Sequence, residues 1–247
     1  MDGALNEGLE FRDFYKEYAG RCDALVIRPE NIIKSVSYIQ VHKNEAAFIE
    51  GAICKEGLFD ISTLHSCATL KALSVRGAVS GLQDLLHTLP LQWLAIDNTL
   101  MNEKIDFSDL GELQYLSIYK MNNKISGVSK LLALKYLRAW SFTSPTGNLE
   151  SLCKLSQLAE IELNSPRITS LDGLSQLKAL RKIHLCYCRN SIDVKDIFAS
   201  KSIDYIEIEK GNPAIPEAIR QSQLFESVFD NGHYRIFQRR GLQECDA

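Results

Sequence analysis

Apolar residues recur along this chain in one fixed figure: apolar, two variable, apolar, one variable, apolar. It is written as Leu70-x-x-Leu73-x-Val75, Leu91-x-x-Leu94-x-Ile96, Leu113-x-x-Leu116-x-Ile118 and Leu134-x-x-Leu137-x-Ala139, then as Leu158-x-x-Ile161-x-Leu163, Leu180-x-x-Ile183-x-Leu185 and Ile203-x-x-Ile206-x-Ile208. Successive copies start 21, 22, 21, 24, 22 and 23 residues apart. A period of this length marks a solenoid of stacked turns. A second rhythm leads into each copy at intervals of three, as in Leu149, Leu152, Leu155, Leu158 and in Leu171, Leu174, Leu177, Leu180. Phe107, Leu110, Leu113 and Val128, Leu131, Leu134 repeat it, and Ile61, Leu64, Cys67, Leu70 form a weaker version. Period two predicts a strand, and period three predicts a 3₁₀-like or short helical return. One turn cannot bury both apolar stripes alone, so neighbouring turns must stack.

The ends depart from this rhythm. Residues 1 to about 21 carry Leu9, Phe11, Phe14, Tyr15 and Tyr18 at partly helical spacing, and Ala24 to Ile27 reads as a short strand. Val36-x-x-Ile39-x-Val41 fits the repeat figure and predicts an eighth strand, at the start of the array. The next copy follows too late, which predicts an insertion near 42–57, read as an irregular cap rather than a binding loop, with Ala46 to Ile53 inside it forming an extra strand or a helical turn. Pro213 and Pro216 end the pattern, and a short helix is expected at Glu217 to Gln221. Beyond it, residues 224–229 and 233–238 flank Asn231-Gly232, the signature of a tight hairpin turn. The expected layout is an N-terminal cap over 1–35, a repeat array over 36–212 and a C-terminal cap with a β-hairpin over 213–247.

If positions one, four and six of each figure point inward, alternation sends positions three, five and seven to the opposite face. That face then displays Trp93, Tyr115, Tyr119, Tyr136, Arg138 and Trp140 in the middle turns. The later turns add Glu160, Glu162, His184, Glu207 and Glu209, with Lys182 among the acids. Tyr, Trp and Arg are the residue types enriched in interface hot spots. Both tryptophans of the chain lie here, while the inward positions are almost all aliphatic. This favours binding of a protein partner over simple shielding of the sheet, and the acids favour a basic one.

The repeats resemble those of the leucine-rich repeat family, particularly the short bacterial type seen in internalins, over about residues 36 to 212. The resemblance implies an α/β fold: a curved, right-handed solenoid with a parallel sheet on its concave face and short helical or 3₁₀ returns on its convex face. It also implies a non-enzymatic module that grips a globular protein on the concave face. A chain of this size suits an inhibitor, an adaptor or an immunity protein that neutralises a toxin. The family usually places Asn or Cys eight residues after the first Leu, where it ties turns together. Here those positions hold Ala78, Thr99, Met121, Phe142, Pro166, Cys188 and Gly211, with Asn122 and Asn212 one residue late. The hydrogen-bond ladder between turns is therefore expected to be degenerate, and the turns after the strands less regular.

Composition narrows the remaining classes. The 247 residues are 45% hydrophobic and 24% charged, with net charge -3, which does not suggest a nucleic-acid binder. No apolar run of membrane-spanning length occurs, and residues 1–10 lack the basic and hydrophobic segments of a secretory signal. A cytoplasmic location is the expectation. The seven cysteines include Cys186-x-Cys188 but no second Cys or His pair at zinc-site spacing, so reduced structural thiols are expected, with no metal and no cofactor. None of the common nucleotide-binding, hydrolase or metalloprotease motifs is present. His184 and Cys186 share a face, but residues two apart on a strand stand about 6–7 Å apart, too far for a hydrogen bond without distortion. No catalytic role is assigned. Alternatives to a protein-binding module are a carbohydrate-binding surface, since exposed rings stack on sugars, and a scaffold or adaptor that regulates an enzyme.

Overall fold

A computed structural model describes residues 8–13, 23–54, 57–97, 103–121 and 123–241. The chain forms two compact units, one of residues 1–119 with 124–131, the other of 120–123 with 132–247.

Unit 1 is a ladder of six strands: β1 (Glu10–Asp13), β2 (Asp23–Ile27), β3 (Ala46–Glu50), β4 (Ala72–Arg76), β5 (Trp93–Ile96) and β6 (Tyr115–Ile118). β1 pairs antiparallel to β2, and every later pair is parallel. The register is constant from repeat to repeat: Leu73 faces Leu94 and Leu94 faces Leu116, so equivalent residues stack. These inward residues are fully buried. Chain returns run through helices α1 (Ile32–His42) and α2 (Leu82–Thr88) and through a 3₁₀ turn over Ser62–Ser66. Short parallel pairs, Gly57–Asp60 with Val79–Ser80 and Ile105–Asp106 with Ile125–Ser126, tie the returns to one another.

Unit 2 repeats the scheme with β7 (Tyr136–Trp140), β8 (Glu160–Asn164), β9 (Lys182–Cys186) and β10 (Tyr205–Glu209), all parallel. Its returns include helix α3 (Lys195–Ala199). Helix α4 (Ala214–Gln221) follows β10, and a hairpin of β11 (Phe225–Asp230) and β12 (Tyr234–Arg239) closes the sheet by pairing β12 antiparallel to β10.

The period-three rhythm has a direct cause in the backbone. Leu152, Leu155 and Leu158 each donate their N–H to the carbonyl of the leucine three residues earlier, at 2.9, 2.9 and 3.1 Å. Leu174, Leu177 and Leu180 do the same, and Leu64, Cys67 and Leu70 donate in the same way to Ile61, Leu64 and Cys67. A tight i to i−3 turn brings every third side chain to one side, and all nine residues are buried.

The turns after the strands are regular, contrary to the expectation from the missing Asn. The residue just after position seven adopts a left-handed conformation in repeat after repeat: Gly77, Ser141, Ser165, Tyr187 and Lys210. Ser141, Ser165 and Tyr187 then donate their N–H to the carbonyls of Asn164, Cys186 and Glu209 on the next strand. Backbone bonds thus replace the side-chain ladder, which frees the following position for core residues such as Ala78, Phe142 and Cys188. Asn122 and Thr99 lie outside the described residues. At Gly77 (φ 90°) the backbone requires glycine twice over, since a Cβ would meet the Gly51 carbonyl oxygen at 2.5 Å.

Two expectations at the N-terminus are corrected. Val36 to Val41 is not a strand but part of α1, with Ser35 and Ile39 fully buried and Val41 58% exposed. The strand of that turn is β3, inside the segment 42–57 that was read as an insertion, and its Ala46 pairs with Ala72. β2, α1 and β3 form a strand–helix–strand unit continuous with the parallel ladder. The partly helical reading of residues 1–21 also fails where it can be compared, because Glu10–Asp13 is a strand. Phe14, Tyr15 and Tyr18 lie outside the described residues.

Candidate interaction face

In unit 2 the strand registers set positions three, five and seven into rows. Tyr136, Glu160, Lys182 and Tyr205 stand side by side, then Arg138, Glu162, His184 and Glu207, then Trp140, Asn164, Cys186 and Glu209. The hairpin extends the last row with Tyr234, paired to Glu209. The opposite side of the same strands is aliphatic and fully buried: Leu137, Ala139, Ile161, Leu163, Ile183, Leu185, Ile206 and Ile208.

The first face is a packed polar layer. Glu162 is buried, and its two oxygens are held by Arg138 Nε at 2.8 Å and by the Tyr136 hydroxyl at 3.1 Å. Lys182 Nζ lies 2.7 Å from Glu207, and the Tyr234 hydroxyl donates to the same carboxylate. Burial first, then the bond to Glu207, push the Tyr234 hydroxyl's pKa well above its ordinary value. The Tyr234 ring meets the His184 ring edge-on at 6.0 Å. The Arg138 guanidinium lies 5.9 Å from the centre of the Trp140 ring. Of the four acids expected to form an open negative zone, Glu162 and Glu207 are therefore neutralised within the chain. Glu160 is exposed, and Glu209 is half-buried with Lys210 at 3.9 Å.

His184 and Cys186 do not keep the separation that strand geometry implies. The two side chains lean together, and Cys186 Sγ lies 3.1 Å from His184 Nε2. Burial, followed by the charges of Glu162 and Glu209, drives the Cys186 thiol well above the normal cysteine range, and burial raises Cys188 to about 12.

Unit 1 carries the other predicted residues. Trp93 is 2% exposed and Tyr115 9%, their rings stacked at 4.7 Å with an interplanar angle of 8°. This pair is internal packing rather than open surface. Tyr119 is 46% exposed. Tyr38 and His42, at positions three and seven of the figure that starts at Val36, stack on each other from α1.

Tyr234 is the residue that the sequence reading missed. The hairpin was legible, but nothing in it marked which ring would lie over the last strand.

No family model matches the chain, and no curated protein does. Among solved structures it is similar to an internalin of Listeria monocytogenes, at a TM-score of 0.48 and 16% identity, with 76% of this chain covering 61% of that one. It is also similar to internalin C2 of the same species, at a TM-score of 0.44 and 19% identity, with 62% of this chain covering 76% of that one. This chain thus spans less than two thirds of the first protein's length. The leucine-rich-repeat solenoid architecture rests on the ladders themselves: one parallel strand and one return per repeat, in constant register. Among the described residues no helix is long and apolar enough to cross a membrane.

Proposed function

We propose that the protein is a non-enzymatic interaction module that binds a protein partner on the outward strand face of its repeats. The observation that carries this is the face of unit 2. A sheet whose inner side is wholly aliphatic presents, on its outer side, rings and charges in strict register. Tyr136, Arg138 and Trp140 lie along one strand of it. Each is part-exposed, and the Arg138–Glu162 bond together with the ring contact pre-sets their geometry. Pre-set rings bury apolar area at little entropic cost. Glu160 and Glu209 leave acidic character for a partner with basic groups, which fits an inhibitor or immunity protein that covers a cationic enzyme.

The test is capture of the partner by the immobilised chain from its native source, identification by mass spectrometry, then affinity measurement with the purified pair. A Glu160→Gln, Glu209→Gln double variant is expected to associate more slowly than the wild type at low salt and equally at high salt. An association rate indifferent to both changes removes the basic partner, and a chain that captures no protein removes the proposal.

A further inference from the structure

Glu162, His184 and Cys186 offer a carboxylate oxygen, a ring nitrogen and a thiol that all lie within 4.8 Å of one another. Two adjacent strands supply them: Glu162 pairs with His184 in the ladder, and Cys186 follows two residues later. From this convergence we propose that the three side chains form a binding site for a borderline-soft divalent cation of the zinc class.

Distances support it. Zinc bonds sulfur at about 2.3 Å and nitrogen or oxygen at about 2.0–2.2 Å, so tetrahedral ligand atoms stand roughly 3–4 Å apart. Cys186 Sγ and His184 Nε2 already do, at 3.1 Å. Glu162 offers an oxygen within 4.8 Å of both other ligand atoms, and it closes that gap by shifting together with its two donors, Tyr136 and Arg138. Thiolate with imidazole selects zinc-class ions over magnesium or calcium, which take all-oxygen shells.

The surroundings match those of a metal site. The Tyr136 hydroxyl and Arg138 Nε fix the Glu162 carboxylate, whose oxygens keep lone pairs for a further bond. His184 Nδ1 lies between two carboxylates, 3.7 Å from Glu207 Oε2 and 4.0 Å from Glu162 Oε2, and Nε2, the nitrogen beside the thiol, is the proposed ligand. Four acids, Glu160, Glu162, Glu207 and Glu209, stand in this block of the ladder against two bases, Arg138 and Lys182. A dication offsets that excess and outweighs the opposing charge of Arg138. On binding, the Cys186 thiol releases its proton to solvent and the sulfur's electron pair goes to the metal. Three protein ligands leave a fourth position for water or for a donor atom from another molecule.

The experiment is a titration of the full chain, kept reduced by a phosphine, with cobalt(II) as the probe. The expected result is one cobalt per chain and a near-ultraviolet sulfur-to-cobalt charge-transfer band, which zinc then bleaches by displacement. Cys186→Ser is expected to abolish the band and Cys188→Ser to keep it. His184→Gln, which changes a ring 19% exposed, is expected to weaken binding by about tenfold or more. No sulfur band at saturating cobalt overturns the proposal, as does a band that survives Cys186→Ser. If Cys186→Ser does not fold, wild-type cobalt affinity in His184→Gln overturns it instead.

Discussion

Leu137 and Ser117 occupy positions four and five of their repeats, one step apart in the figure and opposite in environment. Leu137 is fully buried among aliphatic neighbours, whereas Ser117 lies on the outer face. Leu137→Ala should therefore lower unfolding free energy by about 2–5 kcal/mol, and Ser117→Ala by less than about 0.5 kcal/mol. Equal denaturation midpoints for the two would show that the inward assignment is wrong. Arg138 is the less obvious case. Its side chain is 41% exposed, but its partner Glu162 is only 10% exposed. Removing the guanidinium leaves a nearly buried carboxylate with Tyr136 as its remaining bonded donor. Arg138→Met should cost about 1–3 kcal/mol of stability, toward the low end because solvent reaches the pair from the arginine side. Glu160→Gln, on the exposed neighbour, should cost almost nothing in the same urea titration. If the two variants melt alike, the pair is ornamental.

At the scale of elements, the seven later strands and their returns were legible because two periodicities coincide: alternation fixes the strand, and spacing by three fixes the turn that feeds it. The first strand was misread because Val36, Ile39 and Val41 satisfy the strand figure while Ile32, Ser35 and Ile39 satisfy a helical one. The helix won, with Ser35 and Ile39 buried together. β3 lies in a stretch, Ala46 to Ile53, that reads as either an extra strand or a helical turn, and its opening Ala46-Ala47 carries too little side-chain bulk to decide between them. Side-chain lean was also illegible, since strand geometry separates His184 from Cys186 and only their rotamers bring them together. Charge pairing in unit 1 leads to a pH prediction. Arg12 and Arg28 bridge Glu10 on β1 and Glu50 on β3. Bonds from Arg28 and then Arg12 lower the Glu10 pKa; at Glu50 burial raises it, but bonds from the same two arginines outweigh burial and the net shift is also downward. Carboxylates lowered on folding contribute stability that is present above their unfolded value, 4.5, and is lost as pH falls through the lower folded value. Melting temperature should therefore fall on acidification below 4.5, and by less in Glu50→Gln than in the wild type. An identical acid limb in the two proteins would show that these pairs contribute nothing.

For the molecule as a whole, the two tryptophans separate stability from binding. Both occupy outward positions in the repeat figure, and both are expected from sequence to serve a partner. The structure divides them. Trp93 is 2% exposed and stacked on Tyr115, so it belongs to the packing of its unit. Trp140 is part-exposed, at the end of β7, with the Arg138 guanidinium 5.9 Å from its ring. Trp93→Ala should then destabilise the chain by about 3–5 kcal/mol, the cost of a large cavity. It should leave intrinsic affinity nearly unchanged for the molecules that remain folded. Trp140→Ala should do the reverse: a small change in melting temperature and a loss of about 2 kcal/mol or more in binding the native partner, roughly thirtyfold in affinity. Calorimetry on the two single variants, beside a melting curve for each, measures both quantities on the same samples. Should Trp140→Ala bind as the wild type does, the outer face of unit 2 is cover for the sheet. The surface to test next is then the segment around Ile53, 78% exposed in the short hairpin that precedes Phe59.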